Sequence, residues 1–178
     1  MTSLEIKNGE KVCKCAEYLM RPANAKDLDE LYRETEKEGL LETVFYDVYS
    51  GGERMDSSGF QSRFKAVEIF GLYSRKNYPL GYVWVTEMKS HAVQTHFCFF
   101  PSRIKDTVAL AKFGATALCL FANSIKGVPD IKTFYGYIPE FNQRAIDFTK
   151  KLGWKESGRI PNFVQNKVQD LVLLTYKV

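Results

Sequence analysis

The sequence has 178 residues, 45 % hydrophobic and 26 % charged, which suits a single domain with one good core. Its net charge of +4 comes from 25 basic residues scattered among 21 acidic ones, and no basic stripe with interleaved aromatics marks a nucleic-acid binder. No window approaches the roughly 18 consecutive apolar residues of a membrane span. The opening MTSLEIKNGEKVCKCAEYLM breaks every short apolar run with charge, unlike a signal peptide, so a soluble protein retained in the cytoplasm is expected.

Residues 1–12 are polar and read as a loose lead-in or an edge strand. Cys13 and Cys15 form a C-x-C, but only His91 and His96 are present to help hold a metal and neither has ligand spacing, so the pair reads as alternating strand residues. All four cysteines (Cys13, Cys15, Cys98, Cys119) read as reduced, and no metal is expected. The first full strand is expected from Cys15 to Met20, closed by Arg21-Pro22, because proline disfavours helix in the residue before it. Asn24 then caps a helix through AKDLDELYRETEKEG, with Asp27 near the positive end of its dipole, Leu28, Leu31 and Tyr32 as its apolar face and Gly39 as its stop. In residues 40–66, LLETVFYDVYS is compatible with a second helix, and GGERMDSSG reads as a loop.

From Val67 the pattern changes to period two: VEIFGLYSR, a turn at Lys76 to Pro79, LGYVWVTEM, a turn near Lys89-Ser90, then AVQTHFCFF. Three such strands joined by short turns predict an antiparallel meander. Phe97 and Phe99 alternate with His96, Cys98 and Phe100, so the third strand is expected to be buried on both faces and to lie at the sheet centre. Asp106 or Thr107 caps a helix of about twenty residues ending at Gly127, whose expected apolar face is Val108, Ala111, Ala115, Leu118, Cys119 and Ala122. The strand IKTFYGYI leads to a short helix from Asn142 to Leu152 with Ala145, Phe148 and Leu152 on one face and Gly153 as its stop. A strand from Trp154 and a closing strand from Val168 to Lys177 complete the chain. The fold class is α/β (α+β), with a mixed, mostly antiparallel sheet flanked by helices.

The helix that starts directly after the third meander strand turns free amides toward the strand end, a ready anion site. Arg103, Lys105 and Lys112 add positive charge there. Asp106 is a cap whose carboxylate turns away, or a repulsive charge at the site.

The order Asn142, Ala145, Lys151, Leu152, Gly153, Trp154 resembles the N-x-x-A…K-L-G-(aromatic) pattern near the C-terminus of the GNAT superfamily of acyl-CoA N-acyltransferases. The R-P-A opening and the element order resemble that family over nearly the whole chain. The resemblance implies one GNAT-like domain over residues 1–178, with 1–14 as a lead-in. It implies acetyl-CoA as co-substrate and transfer of an acetyl group to an amine of a small molecule or peptide, by a monomer or homodimer. The family's pyrophosphate turn, (Q/R)-x-x-G-x-(G/A), falls on Arg103–Val108, with Asp106 and Val108 in place of its glycines. The implied cofactor contacts are Phe99, Phe100, Arg103, Lys105, Asp106, Thr107, Val108 and Asn142, with the pantetheine arm between Phe97–Phe100 and Gly136–Ile138. Many members use a tyrosine seven residues after the motif asparagine as the acid, and Thr149 stands there. Tyr137 or Tyr135 is then the candidate acid, and Glu87, His96 or Glu140 the candidate base. The alternative is a non-catalytic GNAT-like structural or interaction protein, similar to those found in bacteriophage genomes.

Overall fold

The computed structural model describes residues 2–7, 10–46, 53–65, 67–124, 130–161 and 169–178. Nine strands, β1 (Ser3–Lys7), β2 (Glu10–Lys14), β3 (Tyr18–Pro22), β4 (Ile69–Ser74), β5 (Pro79–Lys89), β6 (Ala92–Phe99), β7 (Thr133–Pro139), β8 (Lys155–Ile160) and β9 (Leu171–Lys177), share one sheet. Their spatial order is β1-β2-β3-β4-β5-β6-β7-β9-β8. Every neighbouring pair is antiparallel except β6 with β7, which run parallel over only Ala92–Gln94 and Thr133–Tyr135. Helices α1 (Ala25–Lys37), α2 (Leu41–Val44) and α3 (Ser57–Arg63) cover one face, and α4 (Thr107–Asn123) covers the other. Helix α5 (Gln143–Lys151) follows β7.

The α1–α3 face is packed with rings: Phe45, Phe60, Phe64, Tyr82, Trp84 and Phe100 are all buried and touch edge to face or stacked. On the other face Leu110, Phe113, Ala117 and Phe121 of α4 press on Met20, Phe70, Leu72, Val83 and Phe134 of the sheet. No helix among the described residues is long and apolar enough to cross a membrane.

The local signals hold. Asn24 and Asp27 form a full capping box at α1, Asn142 Oδ1 accepts from the Ala145 N–H at 3.2 Å, and Gly153 ends α5 at φ +93°. The meander appears with turns at Asn77 (φ 64°) and Ser90 (φ 54°).

Several expectations change. Residues 3–14 are an edge hairpin, and the next strand starts at Tyr18, not Cys15. Cys13 pins this hairpin: it is wholly buried, and burial pushes its thiol up to about 11, so it packs as an uncharged apolar group. The end of the GGERMDSSG loop, from Ser57, yields to α3 because Asp56 Oδ1 caps the Gly59 N–H at 2.6 Å and Phe60 is drawn into the ring cluster, while residues 53–56 stay non-helical. Of the expected second helix, Leu41–Val44 form α2, and residues 47–52, with Gly51 and Gly52, lie outside the described residues. Helix α4 is partly rotated from its expected stripe: Leu118 and Ala122 are buried as expected, but Leu110, Phe113, Gly114, Ala117 and Phe121 join them, whereas Val108 is 36 % exposed and Ala111, Ala115 and Cys119 are only partly buried. An α4 apolar nearly all round has several acceptable stripes, and contact with the sheet selects one. Its expected stop, Gly127, lies outside the described residues.

The last change concerns the sheet centre. The strand buried on both faces is the first half of β5, Pro79–Trp84, while Phe97 and Phe99 of β6 are only partly buried. Strand β7 leaves β6 after Gln94, so the rest of β6 has β5 on one side and a gap on the other.

Candidate active site

That gap is the site. Gly136 sits where the strands part, and a Cβ there would meet the Thr95 carbonyl oxygen at 3.1 Å, tight enough to push the strands aside. Beyond it the outward backbone groups of β6 face a wedge-shaped cleft, the arrangement in which an extended ligand binds as an added strand. The cleft is lined by Thr95, His96 and Phe97 of β6, Gly136–Pro139 of β7, Asn142, Ala145 and Thr149 around α5, and Thr43, Val44 and Tyr46 around α2; its volume is about 100 Å³. A second cavity of about 50 Å³ lies between β6 and α4, bordered by Phe99, Ala111 and Gly114. Both share Thr95, His96, Phe97 and Trp154, so the two cavities adjoin at the β6/β7 gap.

On the α2 side the His96 ring stacks on Trp84, centroids 4.7 Å apart and 9° from parallel, and its Nε2 lies 2.9 Å from Thr86 Oγ1. A register shift between Val85 and Glu87 puts Glu87 opposite Gln94. Such a bulge re-aims a side chain, and here Glu87 meets β7 across the intervening strand. The Tyr135 hydroxyl donates to Glu87 Oε2 at 2.7 Å, and Lys89 Nζ lies 3.0 Å from the other oxygen. These two hydrogen bonds hold the Glu87 carboxyl below its usual range, while burial and the bond to Glu87 push the Tyr135 phenol above its own. At neutral pH the pair is therefore a carboxylate accepting from a neutral phenol. Tyr137, two residues on, lines the cleft, and its ring meets that of Tyr135 at 6.2 Å.

Thr149, at the position where the resembled family has tyrosine, is 2 % exposed and donates its hydroxyl to the Ala145 carbonyl at 2.7 Å. It lines the cleft with its proton already engaged. Glu140 pairs with Arg159 at 2.7 Å on the surface.

The turn before α4 is a separate place. Pro101–Arg103 form one 3₁₀ turn, and Asp106 Oδ1 caps α4 by accepting from the Ala109 N–H at 2.9 Å. Arg103 Nη2 lies 2.7 Å from Glu34 Oε2 of α1, and the Ser102 hydroxyl donates to Glu38. Lys105 and Lys112 are exposed, Thr107 is partly buried, and Val108 faces outward. Phe99 packs against Phe97 and Phe148, whereas the Phe100 side chain is fully buried among the α1–α3 rings and turned away from the cleft.

The structure thus brings Tyr137, His96 and Asn142 into one cleft with Glu87 one tyrosine away. It groups Arg103, Lys105, Asp106, Thr107 and Val108 at the start of α4. Sequence reasoning missed Trp84, the α2 residues Thr43 and Val44, and Glu34: a tryptophan in a core strand and a glutamate in an acidic helix carry no signal of their own. Among the described residues no group of three His, Cys, Asp or Glu is placed to hold a metal ion.

No protein-family model matches the sequence, and no curated protein sequence does either. Solved structures do match in fold. A spermidine N-acetyltransferase from Vibrio cholerae, in complex with CoA and spermine, superposes with a TM-score of 0.68 at 11 % identity, covering 92 % of this chain and 96 % of that one. A GNAT-family acetyltransferase from Bacillus anthracis gives 0.70 at 13 % identity over 93 % and 98 % of the two chains. An acetyl transferase from Salmonella typhimurium that modifies the N-terminal serine of a 50S ribosomal subunit protein gives 0.70 at 11 % over 92 % and 96 %. The protein has the GNAT fold, and at these identities the likeness is one of fold.

Proposed function

We propose that the protein is an acyl-CoA-dependent N-acyltransferase that moves an acetyl group from acetyl-CoA to an amine of a small molecule or peptide. The observation that carries this reading is the cleft at the β6/β7 gap beside Thr95 and Gly136, whose β6 wall offers unpaired backbone to an extended arm. It is supported by structural neighbours that are N-acetyltransferases, one of them in complex with CoA. The arm of the co-substrate fits this cleft, with the backbone of Thr95–Phe99 and Asn142 along it. Arg103, Lys105 and the first amides of α4 are the groups available to its phosphates, and there the fit is poorer, because Asp106 and Val108 replace glycines.

Acetyl-CoA supplies the acyl group activated as a thioester; the amine gains the acyl and loses a proton, and the thiol leaves. His96, oriented by Trp84 and Thr86, accepts the proton from the amine. Glu87, ionised beside Tyr135, faces the approaching ammonium as a counter-charge. The Tyr137 hydroxyl returns a proton to the departing sulfur, the task for which Thr149 has no proton to spare.

A second reading, a GNAT-fold interaction protein without catalysis, is favoured by one observation: the α4 start is occupied by the chain's own carboxylates, Asp106 and Glu34. Titration with acetyl-CoA and CoA, followed by melting temperature, separates the two. Ligand at 100 times its dissociation constant stabilises by about 2.7 kcal/mol, a rise of roughly 5–10 °C at this chain length. Absence of any shift at millimolar ligand sinks the enzyme reading. With binding in hand, His96→Gln and Tyr137→Phe each lower kcat/KM by about 10²-fold or more while leaving the melting shift intact.

A further inference from the structure

The turn before α4 holds as many negative groups as positive ones. Glu34 and Glu38 reach it from α1 and Asp106 caps the helix, against Arg103, Lys105 and Lys112. The carboxylates are the better fixed. Asp106 is committed to the Ala109 amide. The Glu34 side chain is only 15 % exposed, on a helix locked at its start by the capping box and by two hydrogen bonds from Arg21 to Asp27, at 2.6 and 2.8 Å. Lys105 and Lys112, by contrast, are exposed to water, where a single charge contributes little.

Arg103 is therefore the cation best placed to grip a phosphate, and Glu34 already holds it. The contact is close but off-line: Glu34 Oε2 lies 2.7 Å from Arg103 Nη2, yet this buried oxygen has no aligned hydrogen-bond donor among the described residues. A diphosphate arriving here must part Arg103 from Glu34 and leave that carboxylate buried beside it, while Asp106 repels it from the helix start.

Resting on the acyltransferase reading, we infer that Glu34 is the donor-specificity residue: it competes with the donor's phosphates for Arg103. The site therefore takes acyl thioesters of pantetheine by the arm and gains little from the nucleotide. The cleft at Gly136 grips the arm with backbone and apolar surface, which the charge balance at the turn does not touch.

The test measures dissociation constants of coenzyme A and of pantetheine for the full chain and for Glu34→Gln, Arg103→Ala and the double variant, with melting curves to verify that each is folded. For the unchanged protein the two ligands bind within about fivefold of each other. Glu34→Gln keeps the side chain's shape, removes its charge and tightens coenzyme A about tenfold, the equivalent of about 1.4 kcal/mol; pantetheine stays within about twofold. In the double variant that gain disappears, because the freed arginine is gone. Coenzyme A binding about 100-fold tighter than pantetheine in the unchanged protein, or an unaltered affinity in a folded Glu34→Gln variant, overturns the inference while leaving the acyltransferase reading standing. Absence of binding by either ligand at millimolar concentration overturns that reading and the inference with it.

Discussion

Two arginine–carboxylate pairs sit at the starts of two helices, and they are built for different ends. Arg21 meets Asp27 at α1 with two aligned hydrogen bonds, 2.6 and 2.8 Å, side chains 17 % and 9 % exposed, and the guanidinium lies 4.6 Å from the Tyr73 ring centroid. Asp27 also closes the capping box by accepting from the Asn24 N–H at 2.9 Å. Arg103 meets Glu34 at the start of α4 with one close, unaligned contact, and the arginine is 28 % exposed. A fully satisfied, buried pair leaves nothing for a ligand to compete for and acts as a structural clamp. A partly exposed pair with an unspent oxygen can be contested, and the one at the start of α4 is of that kind.

The largest expected effect tests the clamp. Asp27→Ala takes the carboxylate from a largely buried Arg21 and removes a cap contact, so unfolding free energy falls by about 3 kcal/mol or more. At this length that is a loss of roughly 6–12 °C in melting temperature. Arg103→Ala, which removes a contact that gives Glu34 no aligned hydrogen bond, costs less than that. Equal losses measured by denaturant unfolding would break the comparison.

The same residue contributes to the acid limb. Burial works to raise the Asp27 carboxyl, but the bonds from Arg21 and the Asn24 amide and the charge of Arg21 outweigh it and hold it below its usual value. The unfolded chain then takes up the proton first, at about pH 3.9. The stabilisation from Asp27 is complete above that pH and is lost as pH falls through the lower, folded value. Asp27→Asn removes this share of the acid dependence, so its stability profile is flatter below about pH 4 than that of the unchanged protein; parallel profiles would show that Asp27 does not carry it.

A third prediction concerns what grips the donor if Arg103 does not. Gly136→Val places side-chain carbons where a single Cβ already meets Thr95 O at 3.1 Å. It should weaken coenzyme A and pantetheine alike, by about tenfold, or about 1.4 kcal/mol. Unchanged affinities in a folded variant would move the arm out of this cleft.

The smallest effect sharpens the comparison of caps. Asn24→Ala and Asp106→Ala each lose one capping bond, at a cost of about 1 kcal/mol apiece. Only Asp106→Ala also deletes a carboxylate beside the phosphate turn, so it alone tightens coenzyme A. A matching gain for Asn24→Ala would show that affinity follows overall stability rather than local charge.

Much of the fold was legible because its causes are local. Period-two runs with Asn77 and Ser90 at the turns specify the meander, and Asn142 with Gly153 brackets α5, since caps and left-handed stops depend only on residues within one turn. The Asn142 to Trp154 pattern pointed to the GNAT fold that the solved structures match. Less of the candidate site was legible. Asn142 was named from the motif, and Tyr137 and His96 as candidates for roles that the family resemblance implies; all three line one cleft. Phe100 was named as a cofactor contact, but alternation alone does not say that its face belongs to the ring cluster under α1–α3.

The sequence by itself determined the order of the elements from β4 onward, the turns of the meander and the caps at Asn24 and Asn142, because these follow from side chains a few residues apart. Only the tertiary structure decided the rotation of α4, the parting of β6 from β7 at Gly136, the bulge that brings Glu87 to Tyr135 across 48 residues of chain, and the pairing of Arg103 with Glu34. Each of those depends on which surfaces meet when both sheet faces are buried together. A helix apolar nearly all round, or a charge in an acidic run, leaves that meeting open until packing settles it.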